Sequence, residues 1–315
     1  MDIIKFSSDK KGINDISFLD LEHAKKVRSF HQSFPVYQPT PLVELNHLAK
    51  KLKIKNFFVK DESYRFGLNA FKVLGGSFAM GSYIAKRLGM DIADLPYKKM
   101  ISPEIHNKLG DLTFVTATDG NHGRGVAWTA NQLKQKSVVY MPKGSSLERL
   151  HHIQAENAEA SITDMVYDDA VRLANNNAEK YGWIMIQDTS WEGYQDIPRW
   201  IIQGYGTMAL EAYTQLTQKP THIFIQAGVG ALAGAVTGFF SNVYRGADKP
   251  IITIVEPNTA DCIFRTAKAG DGKLHFAEGD MKTIMAGLAC GEPCDVGWRV
   301  LESYADYALR CEDYV

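Results

Sequence analysis

The chain has 315 residues, enough for about two domains or one large α/β domain. Its 45% hydrophobic, 11% aromatic and 23% charged residues match an ordinary folded globule and exclude disorder, collagen and a disulfide scaffold. The 35 Lys+Arg against 36 Asp+Glu leave a formal charge of -1, so no global field draws the chain to nucleic acid or an acidic membrane, and a small-molecule partner is expected.

Met1-Asp2-Ile3-Ile4-Lys5 carries charge where a secretion signal needs an apolar run, and no later stretch approaches a membrane-spanning length. The expected compartment is the cytoplasm. Beyond a polar opening, Thr40-Pro41-Leu42 starts a segment with apolar residues at Leu42, Leu45, Leu48, Ala49 and Leu52. That spacing predicts a helix with Pro41 in its first turn. Short β-branched and aromatic runs at 57–59, 112–117, 138–141, 183–186, 222–226 and 251–255 predict strands. Amphipathic stretches at 77–87, 126–133, 168–181 and 205–216 predict helices between most of them. The alternation implies βαβ units around parallel sheet with both faces covered. Ser145-Ser146-Leu147-Glu148 fits a capping box, and residues 90–111, with Pro96 and Pro103, form an insertion. Cys262, Cys290, Cys294 and Cys311 lack the paired short gaps of a zinc site. Reduced thiols or a local disulfide are expected, and no metal.

Three segments could carry chemistry. The first is Gly228-Val229-Gly230-Ala231-Leu232-Ala233-Gly234, directly after one strand and before an apolar helix. Free N–H groups at a helix start, with glycines admitting close approach, suit a phosphate. A tight turn with nothing bound fits the same residues. So does a dinucleotide, with Glu256 at the end of the next strand as the ribose-binding acid, although the third glycine comes one residue late.

The second segment is Asn69-Ala70-Phe71-Lys72-Val73-Leu74-Gly75-Gly76. A desolvated lysine loses its proton readily and forms a Schiff base with an aldehyde; a lysine snorkelling to the surface is the other reading. The third is Thr118-Asp119-Gly120-Asn121-His122-Gly123-Arg124-Gly125, whose glycines let backbone and short polar side chains reach a ligand. Asp119 and Asn121 can point into one cleft, whereas His122 reads as a packed histidine.

In this order, the lysine segment, the Gly120-Asn121-His122-Gly123 turn and the Gly228 to Gly234 loop resemble the fold type II pyridoxal phosphate enzymes, and Thr40-Pro41-Leu42 and Tyr167-Asp168-Asp169-Ala170-Val171 look like that group too. Within it the chain is most similar to the diaminopropionate ammonia-lyase family. Dehydratases of the group usually place a serine where this chain has Asp119. Phe66-Gly67-Leu68-Asn69-Ala70-Phe71-Lys72, Gln187-Asp188-Thr189-Ser190-Trp191 and Met285-Ala286-Gly287-Leu288-Ala289-Cys290-Gly291 also look like this family.

The resemblance implies an α/β, fold type II enzyme with two open twisted, mostly parallel sheets. It implies a large domain from 1–80 and 203–315, a small domain from 81–202, and pyridoxal 5'-phosphate in the cleft between them. It implies that Lys72 holds the cofactor aldehyde, Asn121 bonds the ring hydroxyl, and the backbone of Gly228, Val229, Gly230, Ala231 and Leu232 binds the phosphate. Asp119 is then the proton-transfer group for the D-substrate, with Lys72 on the opposite face for the L-substrate. Its carboxylate suits a cationic β-amino group better than a serine hydroxyl does. Asp188 is the expected second carboxylate, with a strand-end or helix-cap aspartate as the alternative. A homodimer is implied by the family. Competing activities are a serine or threonine dehydratase, a racemase, or a nicotinamide-linked oxidoreductase. A non-catalytic binding protein of the same fold also fits. The family usually continues past Val315, so the sequence reads as a shortened form, with apolar surface bared on the 228–240 helix and the 251–255 strand, and is expected to bind the cofactor weakly and turn over little or no diaminopropionate.

Overall fold

A computed structural model describes residues 1–6, 14–118, 120–191 and 193–314, and of Asp168 the backbone alone. Within these residues the elements run β1 Asp2–Lys5, α1 Leu21–Gln32, β2 Leu42–Glu44, α2 Asn46–Leu52, β3 Phe58–Lys60, α3 Lys72–Leu88, α4 Tyr97–Met100, α5 Pro103–Leu109, β4 Thr113–Ala117, α6 Asn121–Gln132 and β5 Lys136–Met141. They continue with α7 Leu147–Gln154, β6 Glu159–Ile162, α8 Tyr167–Tyr181, β7 Ile184–Met185, α9 Asp196–Gly204, α10 Gly206–Gln215, β8 His222–Gln226, α11 Ala231–Val243, β9 Ile251–Pro257, α12 Cys262–Ala269, α13 Asp295–Tyr304 and β10 Tyr307–Cys311.

Two four-stranded sheets organise the chain, in the orders β1-β10-β9-β8 and β6-β5-β4-β7. The second is parallel throughout, and in the first only β1 runs antiparallel to its neighbour. β4 and β5 read as near-continuous apolar runs because both faces are covered by helices. A main core of buried residues spreads from Phe6 to Ala308, with two smaller clusters beneath α8 and α7.

Several expectations fail for physical reasons. Pro41 precedes a strand, not a helix, because Leu42 to Glu44 pair antiparallel with Phe58 to Lys60; the helix waits until Asn46. The cap of α7 is Ser146, which accepts from the Arg149 N–H at 3.2 Å, while the Ser145 hydroxyl is buried without a partner among the described residues. The insertion at 90–111 holds α4 and α5, with Pro103 at the first position of α5. The apolar residues of α11 are not bared: Ala231 to Ser241 are buried, because α13 packs on that helix so closely that a Cβ on Gly234 would lie 3.0 Å from the Gly297 Cα. β9 lies between β8 and β10 with Ile252, Thr253, Ile254 and Glu256 buried, whereas Ile251 at its start, Phe224 on the edge strand β8 and Ile3 on β1 are exposed. The four cysteines are free thiols.

Candidate active site

Lys72 is the first residue of α3, five positions earlier than the amphipathic pattern predicts. Three residues just before it, Phe66, Gly67 and Asn69, have left-handed φ values of 49°, 72° and 59°, a costly conformation for Phe66. The surroundings hold it there. Phe66 stacks on Trp128 of α6 at 5.1 Å and 13°, and Arg124 of the same helix donates to the Leu68 carbonyl at 3.2 Å. Arg65, fully buried, makes paired bonds to Glu62 (2.8 and 2.8 Å) and to Glu211 (2.9 and 2.7 Å). Lys60 and Tyr37 also bond Glu211, at 2.8 and 2.7 Å.

The Lys72 ammonium faces Asp188 across 2.5 Å. Asp188 follows β7, and its neighbour Gln187 is fixed on every side. The Gln187 side-chain oxygen accepts from Thr116 and Ala117, its amide donates to the Tyr167 hydroxyl, and its backbone N–H donates to the Tyr194 hydroxyl at 2.7 Å. Burial by itself would favour neutral Lys72, but the Asp188 carboxylate outweighs it and holds the ammonium well above the usual lysine range. Burial would likewise raise Asp188, and Lys72, with His122, pulls it down to about 2.

His122 is buried, as a packed histidine should be, yet it adjoins this pair. Burial lowers its pKa, opposed by Asp188 and reinforced by Lys72. The neutral ring donates from Nε2 to the Ile186 carbonyl at 2.8 Å, which leaves Nδ1 a buried acceptor with no partner among the described residues. Asn121, at the head of α6, is exposed. Gly123 and Gly125 serve packing and not a ligand: a Cβ on Gly125 would lie 2.9 Å from the Val73 Cα. Asp119 lies outside the described residues.

The glycine loop joins the same place. The Val229 carbonyl accepts from the Cys294 N–H at 2.7 Å, and the Cys294 thiol meets the Ser190 hydroxyl at 3.5 Å, two residues beyond Asp188. Gly230 caps α11 with φ 92°. No backbone carbonyl among the described residues accepts from the N–H groups of 228–233, so they converge on the N-terminus of a 13-residue helix as an anion cradle. A cavity of about 260 Å³ opens beside it, lined by Tyr167, Thr189, Trp191, Val229 and Cys290 among others.

Glu256 is not a ribose-binding acid. It is fully buried and accepts from the Ile263 and Phe264 N–H groups at 2.9 and 2.7 Å, capping α12 from the neighbouring strand. Sequence reasoning missed Arg65, Glu211 and Tyr205. The two charges had no local pattern, and the Tyr205 ring reads as ordinary core.

Residues 34–314 match the family of pyridoxal-phosphate dependent enzymes. The chain is 50% identical to a diaminopropionate ammonia-lyase of Salmonella typhimurium, over 95% of this chain and 74% of that protein. It superposes on the Escherichia coli diaminopropionate ammonia lyase solved in complex with D-serine, with a TM-score of 0.90 and 44% identity, covering 99% of this chain and 77% of that one. A second structure of that E. coli protein, in complex with an aminoacrylate-PLP azomethine reaction intermediate, gives a TM-score of 0.88 with the same coverage. The chain belongs to the pyridoxal-phosphate dependent enzymes and, within them, to the diaminopropionate ammonia-lyase family. Its residues fit pyridoxal 5'-phosphate: a primary amine with 23% of its side-chain surface exposed, unpaired N–H groups at a helix start for the phosphate, and buried polar atoms left bare at His122 and Tyr205.

Proposed function

We propose that this chain removes both amino groups from 2,3-diaminopropionate, D and L, by α,β-elimination, giving pyruvate and two ammonia. The observation that carries the reading is the partly buried Lys72–Asp188 pair set beside a helix-start anion cradle, in a chain half identical to an enzyme named for that reaction. Bound pyridoxal phosphate supplies the electron sink for charge developing at the substrate Cα. Lys72 is its attachment point and, once freed, takes or gives a proton at Nζ. Asp188 holds that nitrogen in place and balances its charge. The N–H groups of Gly228, Val229, Gly230, Ala231 and Leu232 bind the phosphate, and Asn121 bonds the ring hydroxyl.

Asp119 has the chemistry for the substrate's second ammonium: its carboxylate pairs with that charge and accepts the Cα proton of the D-substrate. The stacked Trp191 and Tyr194 rings, 4.2 Å apart, close the site near Asp188 and keep water from it. The small domain at 81–202, the large domain from the remaining segments, a homodimer and a cytoplasmic location belong to the same reading. Among the described residues no helix is long and apolar enough to cross a membrane.

Pyruvate and ammonia release from D- and L-2,3-diaminopropionate, with serine and threonine as controls, tests the activity. Faster turnover of serine or threonine would make the chain a dehydratase. Borohydride reduction followed by peptide mapping tests the lysine, and Lys72→Ala should abolish the adduct.

A further inference from the structure

Tyr205 sits between α9 and α10, with no exposed surface. Its backbone is fixed on both sides, the N–H donating to Ile201 and the carbonyl accepting from Met208. The ring lies edge-on to Phe71 at 5.3 Å and 72°, and a Cβ on Gly75 would meet it at 2.8 Å. A helical side chain covers the turn N-terminal to its own Cα, so a ring in the slot of the missing Gly75 side chain lies over the turn that begins with Lys72. Its hydroxyl has no hydrogen-bond partner among the described residues.

A phenylalanine would fill this space without burying a bare hydroxyl, which is costly to leave unmade. The groups around the lysine give the hydroxyl a use. Lys72 is faced by Asp188 from beyond β7, by Tyr205 from the α9–α10 junction, and by the Cys290 thiol from the segment before α13. Asp188 is faced in addition by His122 of α6, and Tyr205 and Tyr194 by Cys294. Asp188 is the anion in this set, and it stabilises the ammonium form of Lys72. A lysine that must capture an aldehyde, or act as a base, has to be neutral, and a neutral amine needs a donor that a carboxylate cannot supply. The Tyr205 O–H is such a donor. Cys290 and Cys294 are weak ones, and the bare His122 Nδ1 can only accept.

We infer that Tyr205 is a positioning residue for Lys72, its hydroxyl donating to the lysine nitrogen in the neutral form, as the counterpart of Asp188, which holds the charged form. The inference rests on Lys72 being the cofactor lysine. The step is a hydrogen bond and transfers no group. The two partners define two positions of one side chain, one for each protonation state.

The test is the pH profile of the rate at which cofactor-stripped protein captures pyridoxal phosphate, read by visible absorbance, for the natural chain, Asp188→Asn and the double variant Asp188→Asn, Tyr205→Phe. Loss of a hydrogen bond of ordinary strength to the neutral amine raises the lysine's pKa by about one unit. Asp188→Asn should move the midpoint downward into a measurable range, and adding Tyr205→Phe to that variant should move it about one pH unit back up, with the rate below the midpoint falling about tenfold and the alkaline plateau unchanged. A purely structural role would lower the plateau and leave the midpoint in place, which would overturn the inference. Tyr205→Met repeats the measurement should the phenylalanine variant not fold. Borohydride trapping in each protein separates the two claims. An adduct on Lys72 with an unmoved midpoint overturns the role of the hydroxyl alone; an adduct on another lysine overturns the assignment of Lys72 and the hydroxyl's role with it.

Discussion

Nζ of Lys72 lies 2.5 Å from Oδ2 of Asp188, across 116 residues of sequence. The contact ties the start of α3 to the segment after β7, so the lysine's charge depends on a residue far along the chain. Removing that carboxylate should cost turnover as loss of a proton-transfer partner does, about 10²- to 10⁴-fold. Pyruvate release by Asp188→Asn checks this, and turnover within twofold of the natural chain would reduce Asp188 to a spectator.

His31 is fully buried. Its Nδ1 accepts from Thr207 at 2.7 Å, and Nε2 faces the Leu74 carbonyl and the Ser77 hydroxyl at 3.1 Å each. Burial, reinforced by Arg65, lowers its pKa to about 3. The folded pKa lies below the unfolded value near 6.5, so the stability this neutral histidine confers is full above pH 6.5 and is lost as pH falls toward 3. In His31→Gln, denaturant titrations should show an acid-side slope smaller by about one proton. An unchanged slope would mean that His31 is charged in the fold.

Glu256 gives the opposite slope. Burial raises its pKa to about 8, against the two N–H donors of α12. The folded pKa now lies above the unfolded one, so stability is full below about pH 4.5 and is lost as pH rises through 8. Glu256→Gln keeps an acceptor for α12 and removes the charge. Its unfolding free energy should be flatter than that of the natural chain between pH 5 and 9, and parallel curves would refute the buried neutral acid.

Arg65 supports the strained turn before Lys72. Arg65→Met leaves Glu62 and Glu211 without their shared guanidinium, and breaking a buried pair in this way costs about 3–5 kcal/mol. Arg65→Lys should restore part of that stability without the paired geometry. Thermal unfolding measures both, and a change below about 1 kcal/mol would show that Lys60 holds Glu211 well enough alone.

The sequence showed what is local. The glycine loop announces itself by adjacency to β8 and α11, and the 222–226 strand was legible to the residue. Lys72 was found by its apolar neighbours. The helix it begins starts five residues before its amphipathic stretch and runs through Gly75, which is required by a ring that arrives from residue 205. Arg65 and Glu211 are 146 residues apart, and each resembles a surface charge until the fold closes around it. β1 and β10 went unseen because they are short, and β1 is a strand by pairing with β10 from the far end of the sequence. Pro41 was misread because helical spacing from Leu42 to Leu52 also fits a short strand followed by a helix.

β10 lies between β1 and β9, with Asp2 opposite Arg310. Those two residues are 308 positions apart, so on a ribosome β1 waits for its neighbour while everything between them is made. The β6-β5-β4-β7 sheet draws on residues 113–185 alone and can close while the rest is still being made. Closing loops of such different length orders the two events in time. Lys72 precedes the early sheet in the chain but is positioned by α9 and Asp188 after it, so the site is assembled as the nascent chain folds back, with the exposed β8 edge open to wrong partners in the interval.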